Sequence, residues 1–62
     1  MDTLFMTADE VAKEMNISKA YAYKIIQKLN REMQEMGYIT VSGKVNRRFF
    51  MKKVNYNEEA PS

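Results

Sequence analysis

The sequence predicts a mostly helical domain carrying a small β-hairpin, and three observations support that reading. A Thr-x-x-Glu box at Thr7–Glu10 opens a first helix. An apolar stripe from Ala22 to Met36, free of Gly and Pro, marks a second. After Gly37 the pattern changes to a period of two and to β-branched and aromatic residues.

The first helix is predicted over residues 8–15. The Thr7 hydroxyl can accept from the Glu10 N–H while the Glu10 carboxylate reaches back to the Thr7 N–H. Met6 and Val11 then occupy the two positions of a hydrophobic staple, and Asp9 and Glu10 suit the positive end of the helix dipole. Val11, Ala12 and Met15 form the apolar face. Asn16 tolerates the left-handed conformation that ends helices, Ile17 is an apolar plug in the turn, and Ser18 is a good N-cap.

The second helix is predicted over residues 19–36. Ala22, Ile25, Ile26, Leu29, Met33 and Met36 trace one face at helical spacing, so they read as core. Asn30, a weak helix former, is a candidate break. Gly37 suits a Schellman ending, with Tyr38 packing back on Met33. Tyr38–Val41 reads as a strand, Ser42-Gly43-Lys44 as a turn with Gly43 at positive φ, and residues 47–54 as the returning strand. A lone hairpin is marginal in water, so Ile39, Val41 and one of Phe49 and Phe50 are expected to pack on the helices. Leu4 and Phe5 add a short third strand or cap the core. The domain is expected to span residues 1–54, with 55–62 a flexible polar tail.

Two helices joined by a short turn form a helix-turn-helix, whose second helix enters the DNA major groove. The unit needs a small residue where the helices cross, a turn residue tolerant of unusual φ, and an apolar corner plug. Ala12, Asn16 and Ile17 supply these, and the basic hairpin completes a helix-turn-helix plus wing.

Composition narrows the function. With 62 residues the chain holds one domain and cannot enclose both a core and a deep catalytic cleft. It has no Cys and no His, so disulfides and the common zinc sites are excluded. The carboxylates do not form a convergent pair and there is no Gly-rich phosphate loop, so no enzyme, no cofactor and no metal is expected. The apolar run Leu4-Phe5-Met6 is too short for a signal peptide or a membrane span, and a cytoplasmic, membrane-free protein is expected. The net charge of +2 hides segregation: residues 1–16 carry −3, residues 17–56 carry nine Lys and Arg against Glu32 and Glu35, a net +7, and residues 57–62 carry −2. A middle segment this basic suits a polyanion.

The stretch from Phe5 to Ile26 resembles the excisionase-type, MerR-like winged helix-turn-helix. That family shows a Leu-Thr-x-x-Glu-Val-Ala opening, here Met6-Thr7-Ala8-Asp9-Glu10-Val11-Ala12. It shows an apolar-Ser turn, here Ile17-Ser18, and a recognition helix ending in Tyr-Lys/Arg-x-Ile, here Tyr23-Lys24-Ile25-Ile26. The resemblance covers residues 4–53. Asn16 stands where Gly is frequent, Ala22 where a larger Val or Ile is usual, and the second helix is longer than in many relatives. The resemblance implies a small excisionase or regulator of a Gram-positive integrative element or prophage, acting on double-stranded DNA. It also implies contact with an integrase or recombinase, and the small footprint of one domain suggests cooperative self-association on DNA.

Position assigns the expected contacts. Ser18, Lys19 and Ala20 open the second helix at the major-groove edge. Tyr23, Lys24 and Gln27 project toward base edges, where Gln pairs with adenine and Lys with guanine. Lys28 and Arg31 meet phosphates, as do Thr7 and the first helix's N-terminal amides. Lys44, Asn46, Arg47 and Arg48 form the wing tip, on phosphates or in the minor groove. Tyr21 is expected to pack rather than to contact bases, Glu32 to pair with Lys28, and Lys52 and Lys53 to protect an edge strand. A protein-docking module without DNA readout is the alternative, and RNA binding is disfavoured by the lack of an aromatic stacking platform on the wing.

Overall fold

A computed structural model of the chain describes residues 4–59, and the side chains of residues 4–54. The elements run β1 (Phe5–Thr7), α1 (Ala8–Met15), α2 (Lys19–Glu35), β2 (Lys44–Asn46) and α3 (Arg47–Glu59). Three helices and one small antiparallel sheet make a mostly helical domain consistent with a winged helix-turn-helix.

Local chemistry sets the boundaries of the first two helices. At α1, Thr7 Oγ1 accepts from the Glu10 N–H at 3.2 Å, and Glu10 Oε1 accepts from the Thr7 N–H at 2.9 Å. The helix ends at Asn16, which takes φ 57° and ψ 52°. The Ile17 N–H donates to the Ala12 carbonyl at 3.0 Å and the Asn16 N–H to that of Lys13 at 3.4 Å, the bond pair of a Schellman ending. Ser18 caps α2, its Oγ accepting from the Tyr21 N–H at 3.1 Å. α2 ends as α1 does, with Tyr38 N–H on Met33 O at 3.0 Å, Gly37 N–H on Gln34 O at 2.9 Å, and Gly37 at φ 92°.

The core gathers one face of each helix. Val11 and Ala8 from α1, Ala22, Ile26 and Leu29 from α2, and Phe50 from α3 are buried together with Met6 and Val45. Met6 and Val45 are the central pair of the sheet, whose register is Phe5↔Asn46, Met6↔Val45, Thr7↔Lys44. Strand alternation turns these two side chains inward together.

The second half of the chain departs from the expected hairpin. Residues 38–41 form no strand and residues 47–54 lie in α3, so the sheet pairs two segments distant in sequence. The run Arg47–Val54 carries Phe50 inward, with Phe49 and Met51 packed beside it, a pattern that serves a helix as well as a strand. Ile39 does not pack on the helices but is 89% exposed, and Val41 is exposed too, whereas Phe50 is fully buried. Met36, at the end of the stripe, and Tyr21 and Tyr38 are also exposed. Lys52 and Lys53 lie on a helix rather than an edge strand, and Lys53, not Lys28, pairs with Glu32, at 2.8 Å. α3 continues through residues 55–59 of the expected tail, and 60–62 lie outside the described residues.

α2 does not break at Asn30. This buried residue donates its Nδ2 protons to the Val41 carbonyl at 3.1 Å and the Lys44 carbonyl at 2.8 Å. The bonds clamp the segment between α2 and β2 against the helix. Gln34 Nε2 adds a bond to Thr40 Oγ1 at 2.7 Å. The turn expected at Ser42-Gly43 is present: the Lys44 N–H donates to the Val41 carbonyl at 3.1 Å, with Gly43 at φ 79°. Among the described residues no buried side-chain nitrogen or oxygen lacks a partner, and no helix is long and apolar enough to cross a membrane.

Candidate nucleic-acid interface

The periodicity that buries Ala22, Ile26, Leu29 and Met33 forces Ala20, Lys24, Gln27 and Arg31 to the opposite side of α2. All four are exposed, as are Tyr23 and Lys28 on the flanks. Lys24, Gln27, Lys28 and Arg31 line one shallow groove. A second groove shares Gln27 and Arg31 and continues over Gln34 to Thr40, Ser42 and Gly43. The outward face of α2 and the clamped loop therefore form one continuous polar surface. Gly43 lies beside Tyr23: a Cβ there would meet the Tyr23 ring at 3.8 Å, an ordinary contact.

The carboxylates sort the cations into two groups. Asp9 pairs with Lys19 at 3.3 Å, and Glu10 with Arg47 at 3.5 Å. Lys24, Lys28, Arg31 and Lys44 have no ion pair among the described residues. Their charge is open to an outside anion.

The two helix starts differ in the same sense. At α1 the Glu10 carboxylate already holds the Thr7 N–H, and the neighbouring Asp9 adds a second negative charge. The Thr7 N–H bond, with the Arg47 charge beside it, holds the Glu10 carboxyl below its ordinary value. An incoming phosphate would meet this carboxylate first, so Thr7 is poorly placed to bind one. At α2 the first turn contains no acidic residue. Ser18 accepts one backbone bond through Oγ and keeps its own hydroxyl proton to donate.

The four wing residues are dispersed. Lys44 is exposed at the end of the clamped loop. Asn46 is used within the fold, where its Oδ1 accepts from the Phe49 N–H at 2.9 Å and so caps α3. Arg47 ties α3 to α1 through Glu10, and its N–H donates to the Leu4 carbonyl at 2.7 Å. Arg48 lines a cleft with Tyr38, Phe49 and Lys52, away from the groove of Lys24 and Gln27. Sequence reasoning missed the clamp of Asn30 and Gln34 and the exposure of Tyr21 and Ile39. Asn30's place at the edge of an apolar stripe was the available signal. Among the described residues no group of three or more Asp, Glu, His or Cys could hold a metal ion.

No family model and no solved structure matches the chain. The chain is similar to ICEBs1 excisionase from Bacillus subtilis (strain 168). The two are 41% identical over 46 residues, which cover 74% of this chain and 72% of that protein. With a helix-turn-helix architecture, an open cationic helix face and identity of this extent, the chain belongs to the excisionase family.

Proposed function

We propose that the chain binds double-stranded DNA sequence-specifically and acts, without catalysis of its own, as the factor that directs a mobile element's recombinase toward excision. α2 is the major-groove element. Tyr23, Lys24 and Gln27 read base edges, with Ser18, Lys19 and Ala20 at the groove edge. Lys28 and Arg31 meet phosphates and fix the register, and Lys44 extends that contact from the loop. Thr7 drops out because Glu10 occupies its amide, and Asn46 because it caps α3. Arg47 and Arg48 take at most a peripheral part. The recombinase, and neighbouring copies of this chain on the same DNA, are the protein partners proposed.

One observation carries the reading: Lys24, Gln27, Lys28 and Arg31 share one exposed groove with no carboxylate paired to them among the described residues. A docking module without DNA readout would use apolar surface here, and this groove is polar and cationic. The test is binding to duplex DNA as a function of salt. The log–log slope should be steep, about −0.9 per phosphate contact, and Lys24→Glu with Gln27→Ala should abolish sequence preference. A flat salt response with preference intact in the double variant would refute the proposal.

A further inference from the structure

We propose that Ile39 is a wedge that enters the DNA minor groove and opens a base step there. The inference rests on α2 being the major-groove element. Among the exposed large apolar residues Ile39 stands out at 89% exposure, and it sits in the irregular segment between α2 and β2 rather than on a helix face. Burying an isoleucine is worth about 1.5–3 kcal/mol, a gain the fold forgoes here.

The loop that carries it is fixed on both sides. On one side the Tyr38 N–H is bonded to the Met33 carbonyl. On the other, Thr40 is held by Gln34, and Val41 and Lys44 by Asn30. A segment held at its neighbouring residues presents an aliphatic side chain to a groove at a lower backbone ordering cost than a free loop would. Proteins that kink DNA through the minor groove insert residues of this type, Ile among them, between base pairs.

Charge selects the occupant. The loop borders Arg31, whose groove also holds Lys24 and Lys28, and leads into Lys44. A second copy of the same face would set these cations against each other, whereas duplex DNA brings phosphates. With α2 in the major groove, the wedge requires this adjoining loop to lie over the next minor groove.

The experiment uses a duplex selected by the 62-residue chain from a randomised library. It is resynthesised with fluorophores at both ends and with 2-aminopurine at one adenine at a time. The original chain should shorten the end-to-end distance and raise 2-aminopurine fluorescence several-fold at one step. Ile39→Ser should lose that rise and most of the bend while keeping the salt slope and the unfolding midpoint, and Ile39→Leu should keep both signals. Two results would overturn the wedge: an Ile39→Ser variant with bend and fluorescence intact, or one that loses only cooperativity between bound copies. The latter would make Ile39 a contact between copies. If the unaltered chain selects no duplex, the DNA reading itself fails, and the wedge with it.

Discussion

The two faces of α2 are made from one 17-residue helix and do opposite work. The inward face, Ala22, Ile26, Leu29 and Met33, is buried, and its first three residues share one core with residues of both strands and both other helices. The outward face, Lys24, Gln27, Lys28 and Arg31, is exposed and lines a shallow groove. Asn30 stands between them and holds the loop. The contrast teaches that stability and recognition are separated by rotation about one axis, so each can be altered without the other.

Perturbing the inward face should have the largest effect on stability. Ile26 is fully buried, and Ile26→Ala should cost about 2–5 kcal/mol in urea unfolding. A chain of this length has only about 3–9 kcal/mol in all. A loss below about 1 kcal/mol would break the distinction between the faces. Next comes the border. Asn30→Ala removes the side-chain donor that the Val41 and Lys44 carbonyls share, leaving Val41 its bond from the Lys44 N–H, and should cost about 1–3 kcal/mol. Amide exchange should accelerate at residues 38–44 before it does in α1, and uniform acceleration would show that Asn30 is no local clamp.

The helix starts sharpen the comparison at smaller scale. Thr7→Ala and Ser18→Ala should each lower stability by about 1 kcal/mol. Only Ser18→Ala should also weaken duplex binding, because the Thr7 end is already closed by Glu10. Equal losses of affinity would erase the difference between the two ends. The smallest effect concerns pH. Glu10 titrates below its ordinary value of 4.5 in the folded chain, so its stabilising contribution is complete above that pH and is lost as pH falls through the lower folded value. Glu10→Gln should lower stability near neutrality, where the ionised carboxylate contributes, and flatten the acid limb, so that the two stability curves converge as pH falls through that window. An unchanged acid limb would place the titrating group elsewhere.

The first 37 residues were largely legible because their signals are local. The Thr7–Glu10 box, Asn16, Ser18, the apolar stripe and Gly37 rest on local spacing, and each took the role its chemistry suggested, except that the stripe's last residue, Met36, is exposed. The outward position of Tyr23, Lys24 and Gln27 follows from the same periodicity. The second half was misread where structure depends on distant partners. β2 is three residues long and pairs with β1 across both helices, a match that no short-range pattern marks. The β-branched run Tyr38–Val41 has strand composition, but the Val41 carbonyl is taken by Asn30 and no strand lies beside the run. Arg47–Val54 is apolar at spacings that fit either period, and the cap that settles it, Asn46 on Phe49, is followed by two arginines rather than by an acidic first turn. Of the candidate site, the α2 residues kept their exposed positions. The wing residues did not stay together, because Asn46 and Arg47 are used to join α3 to the rest.

Amide chemical-shift mapping on a chain this small tests the central claim most directly. On addition of a selected duplex, the perturbations should concentrate at Ser18–Ala20, Tyr23, Lys24, Gln27, Lys28, Arg31 and the loop from Ile39 to Lys44. Shifts confined to α1 and α3, with the outward face of α2 silent, would contradict the account.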